Sequence, residues 1–127
     1  MPSYIDANFM VKAYSDNPDN RRCRARLDSG SLATSSVAVT EAWQALIHIL
    51  GTELAGKAII DLLRRDVVII KADSSLIHDA VRKQPRYGLD AFDTIQVISA
   101  QLGGCNEILT FDNDFLRIKT EPPARTP

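Results

Sequence analysis

The sequence predicts a parallel α/β domain, one sheet with helices on both faces, and three observations carry that expectation. Short extended segments alternate with helical ones through most of the chain, as in successive βαβ units. Val67-Val68-Ile69-Ile70 is a continuous β-branched run, as expected of a strand buried on both faces. At 127 residues, 45% hydrophobic and 24% charged, the chain has material for one sizeable core and little room for a second.

Ser3 to Ala7 reads as a short strand and Asn8 to Tyr14 as helical. The break at Asn17-Pro18-Asp19-Asn20 precedes a helix from Arg21 to Leu27, stopped by Ser29-Gly30. Leu32 to Ser36 is a second strand, feeding a helix from Val37 to Leu50 that Gly51 ends. Thr52 opens the next helix, through Leu63, with Leu54, Ala58, Ile59 and Leu62 at helical spacing. After the Val67 to Ile70 strand, Asp73 or Ser74 caps a helix through Lys83, which is expected to stop near Pro85. Asp90 to Leu102 is helical and closed by Gly103-Gly104, Glu107 to Phe111 is a fourth strand, and Ile118 to Thr120 a short fifth. The domain is expected to span residues 1–120, with the proline-rich residues 121–127 as a tail outside regular structure.

Several function classes are disfavoured early. The apolar stretch from Ala42 to Leu50 is interrupted by Gln44 and His48 and falls short of a membrane span. A strand begins almost at once, leaving no secretory signal, so a cytoplasmic protein is expected. Cys23 and Cys105 lack metal-ligand spacing and read as two free, buried thiols. There is no dinucleotide fingerprint, Walker loop or nucleophile elbow. Net charge is −1, yet Arg21, Arg22, Arg24 and Arg26 cluster, as do Arg82, Lys83 and Arg86. Such groups either track phosphates or form solvated surface.

Four acids stand apart from the rest by isolation. Asp6 ends the first strand, and Asp112 directly follows Ile108-Leu109-Thr110-Phe111. Glu41 is the only formal charge between Asp28 and Glu53, and Asp93 the only one between Asp90 and Glu107. A carboxylate in apolar surroundings needs compensation, by a cap, a distant arginine or a bound metal ion. Their placement at strand ends and helix starts puts all four at the sheet edge where such folds carry their crevice. Oxygen-only ligands select hard cations, Mg²⁺ or Mn²⁺, which suit phosphodiester hydrolysis.

Ile5-Asp6-Ala7-Asn8, Ser36 with Glu41, Asp90-Ala91-Phe92-Asp93-Thr94-Ile95 and Thr110-Phe111-Asp112-Asn113-Asp114-Phe115 together resemble the PIN domain, in particular the VapC-type toxins of VapBC toxin–antitoxin pairs. The resemblance covers nearly the whole chain. It implies a three-layer α/β/α sandwich around a mainly parallel sheet. It also implies a metal-dependent endoribonuclease with RNA as substrate, a protein antitoxin as partner and a homodimer as assembly. Asp6, Glu41, Asp93 and Asp112 take the acidic positions, catalytic and metal-binding, while Asn8, Ser36 and Thr110 match supporting polar positions. Asp90 is expected to cap its helix, and Asp114 competes with Asp112, the preferred residue, for the last acidic place. The competing expectation is a catalytically silent binding module that keeps the fold and uses these acids as caps or protein contacts.

Overall fold

A computed structural model describes residues 1–127. In chain order the elements are β1 (Ser3–Ile5), α1 (Ala7–Ala13), α2 (Asn20–Ser29), β2 (Leu32–Ser35), α3 (Ser36–Leu50), α4 (Thr52–Arg64), β3 (Val67–Ile70), α5 (Ser74–Tyr87), α6 (Ala91–Leu102), β4 (Glu107–Leu109), α7 (Asn113–Leu116) and β5 (Ala124–Arg125). The five strands form one sheet in the order β3-β2-β1-β4-β5, and every pairing is parallel.

Strand alternation divides the interior into two cores. Ile5, Leu32 and Leu109 pack with Phe9, Leu27, Ala42 and Leu62, under α1 to α4. Their neighbours Tyr4, Ala33 and Ile108 face the opposite side, against Tyr87, Leu89, Val97 and Ala100 of the α5–α6 layer. The period of two in the strands therefore produces the expected three layers. Both cysteines are buried and free, as expected. No helix is long and apolar enough to cross a membrane.

Three local expectations are corrected. Val67–Ile70 is an edge strand rather than one covered on both faces, with β2 as its only neighbour and Val68 56% exposed. A β-branched run reports strand propensity, not the number of covering layers. The α5 helix does not stop before Pro85 but runs to Tyr87. Proline removes a single donor, while buried Tyr87 anchors the next residues and Gly88, at φ 66°, closes the helix with its N–H on the Gln84 carbonyl. Finally, the fifth strand is Ala124–Arg125, not Ile118–Thr120, so residues 121–127 are not wholly outside regular structure. Ile108 N–H donates to the Pro123 carbonyl and Thr110 N–H to that of Arg125. An edge strand tolerates the donors that Pro122 and Pro123 lack.

Candidate active site

The strand order sets the position of the site. From β1 the chain steps outward to β2 and β3, then crosses back to place β4 on the other side of β1. The carboxyl ends of β1 and β4 therefore flank the switch point, where open α/β sheets leave a crevice. Ile5 pairs in register with Leu109, which sets Asp6 beside Thr110. The Thr110 hydroxyl donates to Asp6 Oδ2 at 2.5 Å and accepts from the Asp112 N–H at 3.0 Å. One buried hydroxyl thus ties two strand-end acids together, using both its donor and an acceptor site.

Asp6 also caps α1, its Oδ1 accepting from Phe9 N–H at 2.9 Å. A carboxylate has about four acceptor positions, so these two bonds leave capacity facing the crevice. Asp112 caps α7 by accepting from Asp114 N–H, and Asp90 caps α6 by accepting from Asp93 N–H. The capping role expected for Asp90 holds. Capping and cleft-lining coexist in Asp6 and Asp112, because a helix start at the sheet edge aims both its amides and its cap there.

Asp6, Glu41, Asp93 and Asp112 line one cleft of about 290 Å³, together with Asn8 and Gln96. Glu41 reaches it from α3 and Asp93 from the first turn of α6. None of these four acids takes part in any of the ion pairs of the structure. Burial pushes the Asp6 carboxyl above its usual range, against the lowering effect of its bonds to Thr110 and Phe9. Desolvation, then the charges of Asp90 and Asp6, raise Glu41. Asp93 is pushed up to about 7, first by desolvation and then by the charges of Asp90, Asp112, Glu41 and Asp6. Neighbouring carboxylates thus raise three of the four acids, and no ion pair relieves any of them.

That donor set suits a hard cation, since every candidate ligand is an oxygen. No three acidic, histidine or cysteine side chains stand close enough to hold an ion directly. The oxygen donors would suit Mg²⁺ or Mn²⁺, ions that commonly keep part of their water.

The supporting residues divide. Asn8 and Thr110 belong to the cleft or its immediate framework. Ser36 does not line it; its hydroxyl accepts from Ala72 N–H at 3.1 Å and fixes the start of α3 against the β3–α5 loop. Asp114 lies in a neighbouring cleft with Asp90 and Arg117, a cleft that Asp93 also lines. The geometry therefore places Asp112, not Asp114, with the other three acids. Gln96 was not singled out from the sequence, although it follows Asp93 by three residues and so shares its helix face. It is 3% exposed and accepts a hydrogen bond from the Tyr4 hydroxyl. A polar residue on the core face of α6 was the available signal.

Four residues of the two basic clusters have partners within the chain. Arg22 pairs with Asp19, Arg24 donates to the Ala13 carbonyl, and Arg26 donates to Ser3, Ser29 and the Gly30 carbonyl. Lys83 pairs with Asp79. None of these residues lines the acidic cleft.

A family model described as the PIN domain matches residues 3–121. The chain is similar in structure to the Mycobacterium tuberculosis toxin VapC20, which cleaves the sarcin–ricin loop, with TM-score 0.76, 17% identity, and coverage of 88% of this chain and 91% of that one. It is also similar to VapBC2 from Rickettsia felis bound to a promoter DNA fragment, with TM-score 0.71, 17% identity and coverage of 99% and 98%. A toxin–antitoxin complex from Klebsiella pneumoniae gives TM-score 0.69, 20% identity and coverage of 89% of each chain. A search of curated proteins gives no match. With the acids gathered at the switch point of a parallel sheet and nearly the whole chain matched, this protein belongs to the PIN-domain family.

Proposed function

We propose that this protein is a metal-dependent endoribonuclease and the toxin of a toxin–antitoxin pair, using Asp6, Glu41, Asp93 and Asp112 to hold Mg²⁺ or Mn²⁺. The observation that carries the reading is the convergence of four carboxylates, free of any ion pair, on one cleft. A divalent ion bound there supplies positive charge against the charge growing on a phosphate and polarises the attacking water. The chain's own part is positioning. Thr110 and the Phe9 amide fix the Asp6 carboxylate, α6 carries Asp93 from its capped first turn, and Glu41 closes the cleft from α3. Incubation with total cellular RNA, with and without EDTA, followed by sequencing of new ends tests the activity. New ends that appear only without EDTA are expected; none under either condition would leave the silent-module reading.

The raised carboxyl pKa values give a pH signature with a definite sign. The folded Asp93 value of about 7 lies above the ordinary carboxylate value of 3.8, so folding favours its protonated form. Ion-free stability is then expected to fall as pH rises from about 4 to about 7. Asp19, Asp61 and Glu107 are shifted the opposite way by their partners, but they act below about pH 4.5. Melting curves in EDTA should therefore show a lower Tm at pH 7.5 than at pH 5, and saturating Mg²⁺ should remove the difference. A flat profile in EDTA would argue that the acids do not repel one another in the cleft.

The assembly belongs to the same proposal. Trp43, Ile49, Leu54, Ile60 and Leu63 of α3 and α4 are all close to half exposed or more. An apolar surface of that kind suits a second copy of the chain. An antitoxin segment would occlude the acidic cleft, with an arginine as the matching group. Light scattering at micromolar concentration should give twice the mass of one chain; monomer alone would count against the dimer.

A further inference from the structure

We propose that a single RNA strand crosses the acidic cleft between a base-binding groove at Phe92 and a phosphate-binding Arg117, gripping the substrate on both sides of the cut. This rests on the ribonuclease reading above. Three clefts adjoin: a groove of about 750 Å³ shares Glu41 and Ala45 with the acidic cleft, and one of about 370 Å³ shares Asp93 with it.

The first flank is shaped for a flat, partly apolar group. Phe92 is 56% exposed and precedes Asp93 on α6, so its backbone sits next to the site. Val37, Ala45 and Ala72 form apolar walls beside it, with Gln44 as a polar group. The Gln44 Nε2 is engaged by His48, which leaves its amide oxygen as the acceptor. The volume falls in the range of small-ligand sites. Its few apolar residues offer one ring to stack on rather than a seam for a helix. An unstacked base has such a face to offer and a duplex does not.

The second flank carries one cation, Arg117, among the carboxylates of Asp90, Asp93 and Asp114. Arg117 is exposed and caps the carboxyl end of α7, the helix whose other end Asp112 caps. It lines its cleft beside Asp90, Asp93 and Asp114, yet it forms no ion pair with any of them. An exposed guanidinium with no ion-pair partner is free to take a phosphate oxygen pair.

The test uses short phosphorothioate-linked RNA oligonucleotides for binding by fluorescence anisotropy in Mg²⁺, with ordinary RNA for cleavage. The unsubstituted protein should show a binding penalty for an abasic site at one position flanking the cut. Phe92→Ala should weaken binding about tenfold and erase that penalty, and Phe92→Tyr should restore both. Arg117→Ala should reduce the slope of log affinity against log salt by about 0.7, the share of one phosphate on a single strand. If Phe92→Ala binds RNA like the unsubstituted protein with the same abasic profile, the groove serves a protein partner and the proposal fails. An unchanged salt slope for Arg117→Ala overturns the second flank. A protein that binds as described but cuts nothing would keep the strand path and remove the ribonuclease reading. A protein that cuts while both variants match it would do the reverse.

Discussion

Asp93→Asn is expected to abolish RNA cleavage while leaving the fold intact, with an ion-free melting temperature equal to or slightly above that of the unsubstituted protein. The substitution keeps the shape of the side chain, so little packing is lost. It removes one charge from a cleft where Asp90, Asp112, Glu41 and Asp6 all act on Asp93, which relieves repulsion in the absence of an ion. It also removes a ligand for the ion, so the stabilisation that Mg²⁺ gives to the folded state alone should shrink. Loss of a group that stabilises charge in a transition state costs about 10²–10³-fold, and loss of the ion itself more. Melting curves with and without millimolar Mg²⁺ for both proteins, run beside the cleavage assay, read both halves. A variant that still cuts RNA, or gains as much from Mg²⁺, would take Asp93 out of the site. A variant that unfolds would make Asp93 a structural hydrogen-bonding residue instead.

Thr110→Val should be nearly as damaging, for a different reason. Thr110 is fully buried, and its hydroxyl serves both the Asp6 carboxylate and the Asp112 amide. Valine preserves the volume and leaves buried Asp6 without its side-chain donor. Leaving a buried polar group without its partner costs about 1–3 kcal/mol, and a comparable loss of stability is expected in urea unfolding at pH 7.5. Residues that orient a metal ligand cost about 10–100-fold in metal affinity or activity when removed. Thr110→Ser keeps the hydroxyl and should recover most of the activity. Equal stability and activity in Thr110→Val would show that Asp6 holds its position without this bond.

The fold class was legible in the sequence because burial on both sides of a parallel sheet forces alternating helical and extended segments. The acids were legible because isolation in apolar sequence is itself a physical oddity. Glu41 has no charged neighbour in the chain and Asp93 only Asp90, and in space like charges raise both, those of Asp90 and Asp6 acting on Glu41 and those of Asp90, Asp112, Glu41 and Asp6 on Asp93. The preference for Asp112 over Asp114 agrees with the side chains that line the cleft. Other features depend on contacts that no local pattern encodes. The position of Val67–Ile70 at the edge follows from strand order, which propensity does not contain. Ala124–Arg125 becomes a strand only because β4 offers it an open edge. The Arg21, Arg22, Arg24 and Arg26 cluster read either as a phosphate track or as solvated surface, and partners within the chain hold Arg22, Arg24 and Arg26. Gln96 was hidden because a buried amide at a core position looks like noise until Tyr4 is found opposite it.

The central claim is that the cleft of Asp6, Glu41, Asp93 and Asp112 holds a divalent cation, and calorimetric titration of Mn²⁺ or Mg²⁺ into the protein tests it most directly. A saturable heat is expected at pH 7.5, weaker at pH 5, where protons compete for Asp93, and much reduced in Asp93→Asn. No specific heat at pH 7.5 in the folded, unsubstituted protein would contradict the account and leave the four acids as caps and contacts in a binding module.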